Sequence, residues 1–144
     1  MRPNTLAVAV ERVRAGISQD VAMAEFVDSF LLAPDKNARF SAIEREPELS
    51  GNVRLDALVA AMAEYLAKQY RLGRVPAWVS QSRRCLDDPW FTTSSSSPAM
   101  REYLSVVSPA EFRSHNIFTE ERPLRRARSH LPYLSEARVS SNPS

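Results

Sequence analysis

The sequence predicts a mainly α-helical fold: a small helical domain followed by an extended, proline-punctuated C-terminal segment. Three observations predict it. Apolar residues recur at spacings of three and four through the first half of the 144-residue chain, the period of one helical face. No run of useful length alternates apolar and polar residues as a half-buried strand would. Glycine occurs only three times and proline ten, a balance that disfavours tight hairpins and favours stiff connections between short elements.

Leu6, Val10, Val13 and Ile17 open the chain as one helical face, with Asn4 or Thr5 as its cap and Gly16 as its end. Ser18 or Asp20 starts a second helix, whose stripe is Met23, Phe26, Val27, Phe30 and Leu31 and which Pro34 closes. A shorter helix over about residues 35–45 buries Phe40 and Ile43. After Pro47 and Gly51, a long helix runs over about residues 54–72. Its face is Leu55, Leu58, Val59, Met62 and Leu66, its five alanines favour helix and close packing, and Gly73 suits the left-handed residue beyond its end. Short helices follow at about residues 76–82, 98–107 and 109–113, each led by proline. Residues 92–97 (TTSSSS) read as a flexible joint, residues 116–118 (NIF) as one short strand, and residues 129–144 as a flexible tail. The expected division is a helical domain at 3–90, a partner-contacting segment with short helices at 91–128, and that tail.

Composition narrows the function. The formal net charge is +2, too mild to argue nucleic-acid binding by itself. Residues 1–72 hold 9 Lys+Arg against 10 Asp+Glu, a net of −1; residues 73–144 hold 10 against 7, a net of +3. Lys36 and Lys68 are the only lysines. The C-terminal half is therefore arginine-rich, and the planar guanidinium fork suits carboxylates and phosphates. The lone Cys85 excludes an intramolecular disulfide and fits a reducing cytoplasm. No apolar run approaches the roughly 18–20 residues of a membrane span, so a cytoplasmic protein is expected.

Catalytic equipment is sparse. One cysteine and two histidines, His115 and His130, have no metal-ligand spacing, and the phosphate-loop and dinucleotide fingerprints are absent. A Cys85–His115 nucleophile pair is arithmetically possible without any local signature. Glu44, Glu46 and Glu48 read as solvated linker charge in preference to acid–base machinery. No catalytic, cofactor-binding or metal residue is therefore expected, and no enzyme activity. A helix-turn-helix can be drawn over residues 17–45, yet its second helix offers only Lys36, Asn37, Arg39 and Arg45 in an acidic setting.

Protein contact remains. Trp, Tyr, Phe and Arg carry most interface energy, and Trp78, Arg83, Arg84, Trp90, Phe91, Tyr103, Phe112, Arg113 and Phe118 all lie in the proline-punctuated half. Trp78, Trp90 and Phe91 are expected as structural anchors. Arg113, His115, Asn116, Phe118, Arg122, Arg125, Arg126 and Arg128 are expected at a partner surface, ending in the basic run RPLRRAR of residues 122–128.

The pattern RLDALVAAMAEYLAKQYRLGRVPAWV…RRCLDDPWF…SPAEFRSHNIFTEERPLRRA, over about residues 54–128, resembles small bacterial proteins encoded beside abortive-infection-type nucleotidyltransferases. Its marks are Pro76-Ala77-Trp78, Pro89-Trp90-Phe91, Ser108-Pro109, Phe112-Arg113, Asn116-Ile117-Phe118 and Leu124 with Arg126-Ala127. The resemblance implies a non-catalytic, antitoxin-like protein that neutralises a nucleotidyltransferase-like toxin enzyme by covering its active-site surface. The alternatives are a DNA-binding transcriptional regulator and a structural subunit of a larger enzyme complex.

Overall fold

The computed structural model describes residues 5–93 and 97–124. Residues 125–144, with Arg125, Arg126, Arg128 and His130, lie outside the described residues, as do Ser94, Ser95 and Ser96 of the serine-rich joint. The described chain is mainly helical, as its periodicity predicts. It clusters into two compact units that part between Glu48 and Leu49. Of the described residues, the first unit holds residues 5–48 and the second Leu49–Pro123.

Three helices build the first unit: α1 (Leu6–Arg14), α2 (Gln19–Leu32) and α3 (Lys36–Glu44), each packing on the other two. Side-chain oxygens of Thr5, Ser18 and Asp35 accept from the backbone N–H groups of Val8, Val21 and Ala38, satisfying donors that a helix start leaves open. Leu6 and Val10, Phe26 and Phe30, and Phe40 and Ile43 form the core. Ile17 falls beyond the end of α1 and is 39% exposed. Gly16, at φ +113°, terminates α1: its own N–H reaches Val13 O (3.0 Å), and Ile17 N–H reaches Arg12 O (3.0 Å).

The second unit is organised by α4 (Val53–Gln69), capped by Asn52 Oδ1 on the N–H groups of Arg54 and Leu55. Leu55, Val59, Met62 and Leu66 are buried. The helix stops three residues before the expected Leu72. The first left-handed residue after the helix is Arg71 (φ 53°), and Gly73 follows with φ 92°: Arg71 N–H bonds Lys68 O at 3.3 Å and Leu72 N–H bonds Ala67 O at 2.9 Å. Two 3-10 turns, Ala77–Ser80 and Ser82–Arg84, then pack on α4. Strand β1 (Trp90–Phe91), α5 (Pro98–Val107), α6 (Ala110–Arg113) and β2 (Ile117–Phe118) complete the unit.

Sequence pattern predicts β2 but not its partner. β1 and β2 pair in parallel, Trp90 with Ile117 and Phe91 with Phe118, and the two short helices form the crossover that parallel strands require. Trp90 N–H bonds Asn116 O and Thr92 N–H bonds Phe118 O, both at 3.0 Å. Phe112 and Ile117 are buried, at 1% and 0% exposure, and α6 packs on α4. Phe112, His115, Ile117 and Thr119 are therefore buried in this unit, while Arg113 and Ser114 between them are exposed.

Candidate interaction surface

The opening of the second unit is held by one buried cation. Arg84 is fully buried, with its guanidinium carbon 5.1 Å from the centre of the Trp78 ring and Nη1 donating to Asp56 O in the first turn of α4 (3.1 Å). Of the three aromatics expected as anchors, Trp78 is buried at 6% exposure, and Trp90 and Phe91 are half-buried. Arg84, grouped with interface arginines on sequence grounds, is a core residue. Its neighbour Arg83 is exposed. Asp56 is also buried, and its Oδ1 accepts from both the N–H and the hydroxyl of Ser50 at 2.9 Å, closing the turn before α4.

His115 does not lie at a partner surface. It is 4% exposed and bridges two elements: Nδ1 is 2.7 Å from Arg84 O and Nε2 is 3.3 Å from Glu64 Oε1 on α4. The second Glu64 oxygen accepts from Lys68 Nζ at 3.0 Å. That hydrogen bond, followed by the charge attraction, raises the Lys68 pKa from its ordinary value. Asn116 is a joint: at φ 67° it takes the left-handed conformation asparagine tolerates, and Nδ2 donates to Leu86 O at 3.1 Å. Glu64, Val79, Ser80, Gln81, Ser82, Cys85, Ser114 and His115 line an open cleft of about 300 Å³. Cys85 is exposed on it, with Sγ 3.5 Å from Ser114 O. Both imidazole nitrogens are already committed to Arg84 O and Glu64, so the cleft does not set His115 up as a base for this thiol. Among the described residues, no three His, Cys, Asp or Glu side chains gather in a metal-holding group.

Ser108 ties the end of α5 to the chain beyond β2, its hydroxyl accepting from Thr119 N–H at 2.8 Å. Both residues are buried. Tyr65 of α4 meets Phe112 edge-on, ring centres 5.6 Å apart. Burial of Tyr65, reinforced by Tyr70 and Glu111 and opposed by Arg122, raises its phenol pKa.

What remains outside is mostly on α5. Ser97 caps this helix, Oγ accepting from Met100 N–H at 3.0 Å, and Pro98 is its first residue. Only Leu104 of its side chains is buried; Met100, Tyr103 and Val106 are exposed at 36%, 54% and 73%. Phe91 and Phe118 stack with ring centres 4.9 Å apart, and the Arg101 guanidinium lies 5.2 Å from the Phe91 ring centre. Arg113 and Arg122 are exposed and Phe118 is half-buried. Of the expected contact residues, then, the structure leaves Arg113 and Arg122 open, partly covers Asn116 and Phe118, and buries His115. Met100 and Val106 are surface residues that sequence reading missed, because in a short helix the inward and outward apolar positions look alike.

In the first unit, the arginines of the drawn helix-turn-helix are engaged. Arg39 donates to Phe30 O (3.2 Å) and Leu31 O (2.9 Å), covering the C-terminal carbonyls of α2, and Arg45 pairs with Glu11 at 3.1 Å. Glu48 of the linker carboxylates pairs with Arg14 at 2.9 Å. No helix is long and apolar enough to cross a membrane among the described residues. No protein-family profile, curated protein or solved structure matches this chain.

Proposed function

We propose that this chain is a non-catalytic protein-binding module, an antitoxin or regulator that neutralises a partner toxin enzyme by covering its active-site surface. The supporting observation is the outer stripe of α5, where Met100, Tyr103 and Val106 stand exposed on a helix that buries only Leu104. A clustered apolar exposure on a small domain is a mark of a surface that another protein covers. Arg101, Arg113 and Arg122 are exposed on the same unit, and arginine with tyrosine is the composition of interface hot spots. The resemblance over residues 54–128 supplies the class of partner, a nucleotidyltransferase-like enzyme.

The mechanism is steric and electrostatic. Apolar side chains of α5 exclude water from the contact, while guanidinium forks of Arg113 and Arg122 pair with the acidic metal-binding residues such an enzyme needs. Arg125, Arg126 and Arg128 extend the same chemistry along the sequence.

Co-expression tests this. The wild-type chain should restore growth to cells making the adjacent nucleotidyltransferase-like toxin, and Tyr103→Asp with Val106→Asp should abolish rescue without altering the melting profile. Undiminished rescue by that double variant would remove α5 from the contact, and failure of the wild type to rescue would remove the reading.

A further inference from the structure

We infer that the outer face of α5 pairs with the same face of a second copy of this chain, the two helices running antiparallel about a two-fold axis. Ala99, Glu102, Tyr103 and Val106 stand at i, i+3, i+4 and i+7 of the helix, the spacing that gathers side chains on one stripe. All four are exposed, Tyr103 at 54% and Val106 at 73%. Leu104, the one buried side chain of α5, lies on the far side of the helix. The side chains of Glu102 and Tyr103 make no hydrogen bond or ion pair among the described residues.

The stripe is complementary to itself. Its positions are symmetric about a midpoint between Glu102 and Tyr103, so the stripe dictates where a two-fold axis falls. An axis there sets Ala99 against Val106 of the second copy and Glu102 against Tyr103 of the second copy, and each contact is made twice. The small alanine leaves room for the branched valine. The tyrosine hydroxyl donates to the facing carboxylate, a charge-assisted hydrogen bond between groups that otherwise face water. A parallel pair would set Glu102 against Glu102, two like charges on one seam. The charge pattern therefore fixes the direction of the pairing as well as its occupant.

The contact is small. Four side chains on a 10-residue helix bury well below the roughly 1,200 Å² of total surface found in stable interfaces, so the pair forms and parts at about 100 µM. A weak pair leaves the stripe available to a tighter-binding protein, and the proposed partner enzyme would compete with the second copy for it. The pairing concerns the chain alone and does not rest on that partner.

The test uses the full chain with Cys85→Ser, because the exposed thiol could otherwise link two copies. Sedimentation equilibrium from about 10 µM to about 1 mM should show the mass rising from monomer towards dimer, and Val106→Asp should raise the dimer dissociation constant at least about tenfold. A chain that stays monomeric to about 1 mM, or a dimer that Val106→Asp leaves unchanged, overturns the inference. The direction is read by cross-linking in the same background. Proteins carrying Ala99→Cys and Val106→Cys are mixed in equal amounts and oxidised with diamide. Antiparallel helices bring these two positions within disulfide reach and keep each from its own copy, so the mixed disulfide should exceed each self-disulfide by more than the about twofold excess of random pairing. A mixed yield at or below that excess overturns the inference, and this arm decides alone if Val106→Asp does not fold.

Discussion

Arg84 sits between the Trp78 ring and a main-chain carbonyl of α4, completely out of water. Replacing it with alanine removes the stacked cation and its hydrogen bond and leaves a cavity. Arg84→Ala should therefore lower stability by about 3 kcal/mol in denaturant unfolding, whereas Arg83→Ala, on the exposed neighbour, should stay within about 0.5 kcal/mol. Sequence does not separate these two arginines, because only the 3-10 turn decides which faces inward. His115 is similarly opaque: its partner Glu64 is 51 residues away, and no local pattern connects them. Arg71 carries the opposite lesson. Its positive φ is a position where glycine is unstrained, so Arg71→Gly should raise stability by about 0.5–1 kcal/mol, measured as a higher denaturant midpoint. Tyr65 adds a pH term. Its phenol is raised in the folded state, so the unfolded chain ionises first and stability falls as pH rises through the ordinary tyrosine range. Tyr65→Phe should flatten that alkaline limb of the stability profile.

Helices were legible because their signals are local. The capping oxygens of Thr5, Ser18 and Asp35 stand directly before their helices, and Gly16 ends α1 through chemistry confined to a few residues. The end of α4 was misplaced because a turn on Arg71 has no compositional sign, while Gly73 two residues on does. β1 was invisible for a different reason: two residues acquire strand character only by pairing with Ile117–Phe118 across the α5–α6 crossover. At this scale the exposed stripe and the cap of α5 have separable roles. Ser97→Ala should cost about 1 kcal/mol by leaving the Met100 N–H without its side-chain acceptor, seen as a lower melting temperature. Tyr103→Asp should leave stability within about 0.5 kcal/mol, since the ring is 54% exposed, while weakening partner binding.

For the whole molecule, the sequence separates a helical domain from a contacting segment near residue 90; the described residues cluster into two units that part at Glu48, and Phe112, His115, Ile117 and Thr119 are buried in the second. The scattered marks of the resemblance acquire a physical meaning from this. Trp78, Phe112 and Ile117 are buried, Ser108 is bonded to Thr119, and Asn116 turns the chain into β2, so much of the recognisable pattern is framework. The exposed apolar stripe of α5 is not legible in the sequence, because exposure on α5 depends on where the crossover packs. A cut at residue 112 should consequently cause loss of cooperative unfolding of the second unit, read by circular dichroism, because it deletes Phe112, His115 and Ile117. The most direct trial of the proposed function is calorimetric titration of a purified nucleotidyltransferase-like enzyme of the proposed partner class with the full chain. Saturable binding that silences the enzyme, and that weakens at least about tenfold with Tyr103→Asp and Val106→Asp, is the predicted result. Absence of binding by the folded wild-type chain, or unchanged affinity in the double variant, would contradict the account.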